Sequence, residues 1–307
     1  MIALDWGTTT LRAFLLGSRG ELLAERAEPW GVMRLPEGGF AAAYAAIVDG
    51  WPTLPAIACG MVGSAQGWVA APYVPCPATA DALAAGLVAV PRYPVHVVPG
   101  VVRRGDRADD RADVMRGEET QIVGAMALRP GLAAGARLVL PGTHSKWVRV
   151  RDGAIVDLTT HLTGELYAVL RDHSILGRLA PGAPPVDEAG REAAFARGVR
   201  AAHRAAGGVG SLLFSARAGV LVGGLPAGAS LEYLSGLLIG DELRSGLAAD
   251  DPADRAPLAL VGDPALCARY RAALAVLGAD DASVVDGAAA AGLWAIAERA
   301  GLNARPV

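Results

Sequence analysis

Two stretches of this chain resemble each other: IALDWGTTTLRAFLL at 2–16 and LVLPGTHSKWVRV at 138–150. Each reads as an apolar strand, a small Gly-Thr turn and a second apolar strand. A hairpin turned on Gly, Thr and Ser offers backbone N–H groups and hydroxyls with little side-chain bulk, which is the surface a polyphosphate needs for close approach. Two such hairpins far apart in sequence predict a duplicated fold of two lobes.

The second hairpin contains Lys146, the one lysine among 28 basic residues. In a chain that otherwise uses Arg, a retained lysine points to a position that needs a compact ammonium rather than a planar guanidinium. The plain alternative is a chance survivor on a surface hairpin, where an exposed charge would contribute little to stability.

The 307 residues suffice for two lobes with their own cores, and the formal charge of −3 comes from interspersed acids and bases. No basic footprint for nucleic acid or an anionic membrane is visible. The Arg-rich stretch 103–111 is broken by Asp106, Asp109 and Asp110 and reads as a solvated loop. Cys59, Cys76 and Cys267 have no metal-ligand spacing, which argues for a reducing compartment. With no leader pattern and no apolar run of membrane-spanning length, a cytoplasmic protein is expected.

Along the chain, 21–26 reads as a third strand, 39–48 as a helix, 56–64 as a short buried strand ending in a small-residue turn, and 95–99 as another strand. The Pro-rich stretch 67–78 is expected to be a long irregular loop. From Asp113 a helix is expected, with Val114, Ile122, Val123 and Met126 on one apolar face. Further helices are expected at 159–170, 191–206, 231–247, 265–277 and 287–300, with a buried strand at 258–261. The last helix is rich in Ala and suits close packing against another helix. Strands followed by helices, twice over, give an α/β class.

Asp5 ends an apolar strand beside Trp6, Gly7, Thr8 and Thr9. A carboxylate there can hold a hydrated Mg²⁺ on the phosphates, because Mg²⁺ keeps several waters and takes few protein ligands. An ordinary hairpin with a capping Asp is the competing explanation. In the second hairpin Gly142, Thr143 and Ser145 repeat the donor set, and Lys146 adds a charge.

These residues resemble the phosphate 1, phosphate 2 and adenosine motifs of the actin-like ATPases, a superfamily that includes hexokinase and glycerol kinase. The blocks DWGTTTLRAFLL, CGMVGSAQGW with PYVPCPA, DVMRGEETQ, PGTHSKWV, TGELYAVLRDHSIL and VGDPALCARYRAAL resemble, in order, those of the 2-dehydro-3-deoxygalactonokinase family. The resemblance implies two actin-like (ribonuclease H-like) lobes with a nucleotide cleft between them. The first is 1–135 completed by a C-terminal helix at 286–307, and the second is 136–285.

It also implies a reaction, in which ATP with Mg²⁺ phosphorylates the terminal hydroxyl of 2-dehydro-3-deoxy-D-galactonate. In glycerol and xylulose kinases, which look like distant relatives, a Gly-Asp pair supplies the base; the corresponding pair here is Gly117-Glu118. Asp113 and Glu119 are competitors, and an acidic helix start favoured by the macrodipole accounts for both glutamates without chemistry. Arg12 and Arg116 are candidates for the substrate carboxylate, and Gln66, Trp68, His144, Thr163 and Glu165 for its hydroxyls or the pocket wall. His161 and His173 read as structural. Gly262 and Asp263 stand where family members often carry Gly-Gly against the adenine; Asp263 before Pro264 equally suits a helix N-cap.

A kinase for the gluconate epimer is the nearest alternative, since one or two side chains decide the configuration read. A nucleotide-dependent sugar sensor without turnover is a reading of another class. The partner expected is a small sugar acid, with no nucleic acid and no membrane; a homo-oligomer is compatible with the sequence.

Overall fold

The computed structural model describes residues 1–105, 111–248, 256–279 and 281–303. Most of the expected solvated loop at 103–111 lies outside the described residues. The structure opens on β1 (Ile2–Trp6), β2 (Leu11–Leu16) and β3 (Leu22–Glu28), an antiparallel meander in which Asp5 faces Arg12 across the ladder. After α1 (Gly39–Ile47), β4 (Ala56–Gly60) joins β1 in parallel register, with Asp5 beside Cys59 and Trp6 beside Gly60. Then come β5 (Tyr73–Pro75), β6 (Ala78–Thr79), α2 (Ala80–Ala85), β7 (Val88–Ala89) and β8 (Val95–Val97). The first sheet has the order β3-β2-β1-β4-β8-β7.

Next are β9 (Gly100–Arg103), β10 (Asp113–Met115), α3 (Glu118–Leu128), α4 (Gly131–Ala134), β11 (Gly135–Leu140), β12 (Ser145–Arg151) and β13 (Ala154–His161). The remainder is α5 (Thr163–His173), α6 (Glu188–Arg204), α7 (Ser215–Leu221), α8 (Ser230–Ala248), β14 (Leu258–Val261), α9 (Pro264–Val276), β15 (Ser283–Val285) and α10 (Ala288–Arg299). A further sheet has the order β15-β14-β11-β12-β13-β6. With the two-residue strands β7 and β6 set aside, and counting from β1 in one sheet and from β11 in the other, both follow the order 3-2-1-4-5 of the ribonuclease H-like arrangement. The two similar hairpins therefore lead two sheets of one plan, and the α/β, actin-like class expected from sequence is the observed one.

By contact, one unit comprises 1–138, 148–159 and 285–307, and the other 139–147 and 160–284. The first buries Ile2, Leu4, Trp6, Leu11, Val95 and Val97 in one core. There α3 and α10 cross so closely that a Cβ on Gly124 would stand 1.8 Å from the Ala288 carbonyl oxygen, and one on Gly292 1.8 Å from that of Thr120. The small residues of the last helix thus serve the close packing expected of them. The second unit is built around α6 and α8, where a Cβ on Gly236 would lie 2.1 Å from the Phe195 carbonyl oxygen.

Three expectations need correction. Within 67–78, β5 is a strand, the edge of a β10-β9-β5 sheet, with Gly100 N–H donating to Pro72 O at 3.0 Å and Cys76 N–H to Val102 O at 2.9 Å. Strand alternation turns the position without an N–H, Pro75, to the outer edge, where none is needed. The helix expected from Asp113 begins only at Glu118, and Asp113, Val114 and Met115 pair with β9 instead. Gly117, at φ +110°, separates the two. The helix expected at 159–170 begins at Thr163, because β13 runs on to His161 through the β-branched pair Thr159-Thr160. Among the described residues no helix is long and apolar enough to cross a membrane.

Candidate active site

In the first unit the candidate residues gather at the C-terminal ends of the parallel strands β1 and β4. The turn after β1 is closed by Gly7 N–H donating to Thr10 O at 2.9 Å. The carbonyls of Gly7 and Thr8 are taken by the N–H groups of Val32 and Met33, both at 3.1 Å, while Thr8 and Thr9 are exposed. Asp5 forms an ion pair with Arg12, its neighbour across the ladder, and has the Cys59 thiol 3.9 Å from its other oxygen. Arg12 is therefore a partner of Asp5 before it is a donor to any substrate.

Three backbones meet here. A Cβ on Gly60 (φ +93°) would fall 2.6 Å from the Trp6 carbonyl oxygen, and one on Gly117 (φ +110°) 3.1 Å from Gly60 Cα. Only glycine serves at either position, and the contact brings the first turn of α3 to the strand ends. Glu118 is partly exposed there, and its Oε2 accepts from Arg116 N–H at 3.1 Å.

Its neighbour differs in kind. Glu119 is fully buried, accepts from Gly117 N–H at 2.9 and 2.7 Å through its two oxygens, and takes the Thr120 hydroxyl at 3.1 Å. Burial, and then the charge of Glu118, push its carboxyl up to about 8. At neutral pH it is mostly protonated and closes the start of α3, the task of a capping side chain. Asp113 lies on β10 with Oδ1 accepting its neighbour Val114 N–H at 2.8 Å.

Arg116 donates from Nη2 to Ala71 O at 2.8 Å and stacks over Tyr73 at 4.4 Å. Its Nε and Nη1 are buried without a hydrogen-bond partner among the described residues. Such N–H groups are open to an acceptor such as a water or a ligand. Gln66 is exposed in the loop after β4. Trp68 packs instead into an aromatic cluster, stacked on Phe40 at 6.0 Å and tilted on Tyr93 at 4.7 Å.

In the second unit the turn Gly142-Thr143-His144 joins β11 to β12. The start of α5 lies on it: a Cβ on Gly164 would stand 2.5 Å from the Gly142 carbonyl oxygen, and Glu165 N–H donates to Thr143 O at 3.0 Å. His144 Nε2 pairs with Glu165 Oε2 at an exposed position. Thr143 is exposed as expected of a phosphate donor, but Ser145 is buried with Oγ 3.0 Å from the Tyr270 hydroxyl. The Thr163 hydroxyl is likewise engaged, donating to the buried Glu242. Both side chains serve an interior network where the sequence suggested ligand contacts.

The expected exposure of Lys146 is also wrong. It is 4 % exposed, and its Nζ donates to His144 O at 2.9 Å, bracing the turn. A chance survivor on the surface does not describe a buried ammonium, whose desolvation has to be offset by such contacts. Gly262 takes φ +127°, and Asp263 Oδ1 accepts from Leu266 N–H at 2.9 Å, capping α9 with Pro264 in its first turn.

Between the 142–144 turn and helices α5, α8 and α9 lies a cavity of about 290 Å³. Tyr167, Leu238, Leu266 and Tyr270 supply its apolar wall, and Arg269 and Glu232 its two opposite charges. Arg269 is fixed by Glu232 at 2.6 Å and Ser235 at 3.0 Å and lies over Phe195 at 4.3 Å. Sequence reading missed this lining. Glu232 and Ser235, and likewise Leu266, Arg269 and Tyr270, recur at helical spacing that any amphipathic helix would show. Among the described residues no group of three or more His, Cys, Asp or Glu is placed to hold a metal ion.

A family model described as 2-keto-3-deoxy-galactonokinase matches residues 5–296. The chain is 38% identical over 299 residues to the 2-dehydro-3-deoxygalactonokinase of Escherichia coli (strain K12), covering 96% of this chain and 97% of that one. It is also 38% identical over 302 residues to a protein of Rhizobium meliloti (strain 1021) described as a probable 2-dehydro-3-deoxygalactonokinase, covering 96% and 95%. A Sinorhizobium meliloti crystal structure provisionally named for the same activity superposes with a TM-score of 0.86 at 36% identity, covering 97% of this chain and 98% of that one.

Proposed function

The chain belongs to the 2-keto-3-deoxy-galactonokinase family, and we propose on that premise that it transfers the γ-phosphoryl group of ATP to the terminal hydroxyl of 2-dehydro-3-deoxy-D-galactonate, giving the 6-phosphate. The observation that carries this reading is the pair of Gly-Thr turns, each leading a sheet of the same strand order. Phosphoryl transfer asks a protein for positioning and charge stabilisation more than for covalent chemistry. The Gly7-Thr8-Thr9 turn and the Gly142-Thr143 turn, the latter braced by Lys146, take the phosphate roles. The cavity of about 290 Å³ beside Gly142 takes the nucleoside, with Gly262 and Asp263 at the head of α9.

Glu118 accepts the hydroxyl proton as it becomes the nucleophile. Its position at the strand ends supports that role, as does its partial exposure, whereas Glu119 is buried and mostly neutral. Arg116, with two buried N–H groups awaiting an acceptor, suits the substrate carboxylate. Gln66, His144 and Glu165 are exposed donors and acceptors for hydroxyls. Asp5, a partly exposed carboxylate with one oxygen on Arg12 and the other in only a 3.9 Å thiol contact, fits Mg²⁺ held through water, which would neutralise charge on the phosphates. We assign residues 1–135 with 286–307 to the phosphate 1 lobe and 136–285 to the phosphate 2 lobe. The free thiols Cys59, Cys76 and Cys267 suit a reducing cytoplasm.

The test is ADP release, coupled to NADH oxidation, over a panel of keto-deoxy acids, hexonic acids and neutral sugars. We expect turnover with 2-dehydro-3-deoxy-D-galactonate above all others. Preference for the gluconate epimer would move the substrate, and nucleotide binding without ADP release on any sugar would replace the enzyme with a sensor.

A further inference from the structure

Beneath the 142–144 turn, α8 carries Glu242, a carboxylate 2 % exposed. Three neutral donors from three different elements converge on it. Trp147 Nε1 of β12 donates to Oε1 at 2.8 Å, the Tyr270 hydroxyl of α9 donates to Oε2 at 2.6 Å, and Thr163, the first residue of α5, donates to Oε2 as well. Tyr270 in turn lies 3.0 Å from Ser145 Oγ. The indole that reaches Glu242 is clamped against α8, since a Cβ on Gly246 would fall 2.4 Å from the Trp147 ring.

The consequence is local. The backbone contact between Gly164 and the Gly142 carbonyl is held on both sides from one carboxylate, through Thr163 next to Gly164 and through Tyr270 to Ser145 at the end of the turn. We infer that Glu242 is a positioning residue for nucleotide binding: it sets the 142–144 turn, the start of α5 and the first half of α9 in register around the cavity, without touching the ligand itself. Glu242 does not line that cavity, whereas Gly142, Thr163 and Tyr270 do. One carboxyl group shared by three donors ties their positions to each other, which separate bonds to different partners would not. This inference rests on the cavity's assignment to the nucleoside.

The experiment measures the Kd of ATP by calorimetry, KM for ATP and for the sugar acid, kcat, and Tm, for the unaltered protein, Glu242→Gln and Tyr270→Phe. Gln keeps an acceptor for Trp147 Nε1–H but turns an amide N–H donor toward the Thr163 and Tyr270 hydroxyls, so both lose the bond they donate and have to reverse to acceptors. We expect the ATP Kd and KM to rise about tenfold or more in Glu242→Gln and about threefold in Tyr270→Phe, with the sugar-acid KM unchanged. A lowered Tm with an unchanged ATP Kd in both variants would reduce Glu242 to a merely structural group and overturn the inference. If Glu242→Gln does not fold, Tyr270→Phe decides alone, because it keeps the carboxylate and removes one donor; an unchanged Kd there refutes the proposal. Absence of ATP binding by the unaltered protein would instead overturn the reading of the cavity.

Discussion

Replacing Glu119 by Gln should separate a structural carboxyl from its neighbour Glu118, the proposed base, through pH alone. Glu119 is wholly buried, and its pKa stands at about 8 against an ordinary 4.5, raised first by burial and then by the charge of Glu118, with the Gly117 N–H bonds pulling the other way. The other titratable group drawn to it is the buried Cys59 of β4, whose thiol is pushed well up by burial and by Asp5, so it stays neutral throughout. A carboxyl that holds its proton more tightly in the folded chain stabilises that chain fully below about pH 4.5 and loses the contribution as pH rises through about 8. At about 1.4 kcal/mol per pH unit, that window is of the order of 4–5 kcal/mol.

Gln matches the protonated acid in shape, keeps an acceptor for Gly117 N–H and cannot ionise. Glu119→Gln should therefore match the parent in stability within about 1 kcal/mol at pH 5 and exceed it by roughly 4 kcal/mol at pH 8. Urea denaturation of both proteins at pH 5, 6, 7 and 8 reads the difference. Its kcat at pH 7 should stay within about threefold of the parent, since a neutral acid is no base. Parallel stability curves across that range would refute the burial argument, and a kcat loss of about a hundredfold would make Glu119 the base.

Glu118→Gln should lower kcat by about 10² to 10⁴ with little change in either KM, and stopped-flow ADP release would detect a smaller loss that returns the role to Asp113. Asp5→Asn should cut kcat by about a hundredfold or more and raise the Mg²⁺ concentration for half-maximal rate, while costing little in Tm because Arg12 is 44% exposed; unchanged Mg²⁺ dependence would remove Asp5 from the site. Lys146→Met and Lys146→Arg should both lower Tm and kcat/KM, since one loses the bond to His144 O and the other must fit a larger planar group into a buried slot. Full activity of Lys146→Arg would show that charge alone is required there.

What could be read without a structure was whatever neighbouring residues decide among themselves. Both hairpins were legible because strand alternation and a Gly-Thr turn are properties of about a dozen consecutive residues, and so was the cap of α9, where Asp263 and Pro264 act within one helical turn. The start of α3 was not, since the apolar pattern carried the expected helix back to Asp113 and only the backbone turn at Gly117 sets its first residue at Glu118.

Other features depended on distant partners. Three residues of a proline-rich stretch, Tyr73–Pro75, became a strand because β9 offered its edge. Two adjacent glutamates at one helix start parted into a buried neutral acid and a partly exposed base candidate. Thr163 and Ser145, which look like ligand donors from their neighbours, were drawn inward, the first by Glu242 79 residues away and the second by Tyr270 125 residues away. Composition and local pattern determine which segments can be strand, turn or helix, since those preferences act over a few residues. Which polar side chain keeps its hydrogen bonds for a ligand was decided only by tertiary structure, because burial leaves such a group no water and obliges it to take whatever partner the fold brings within reach.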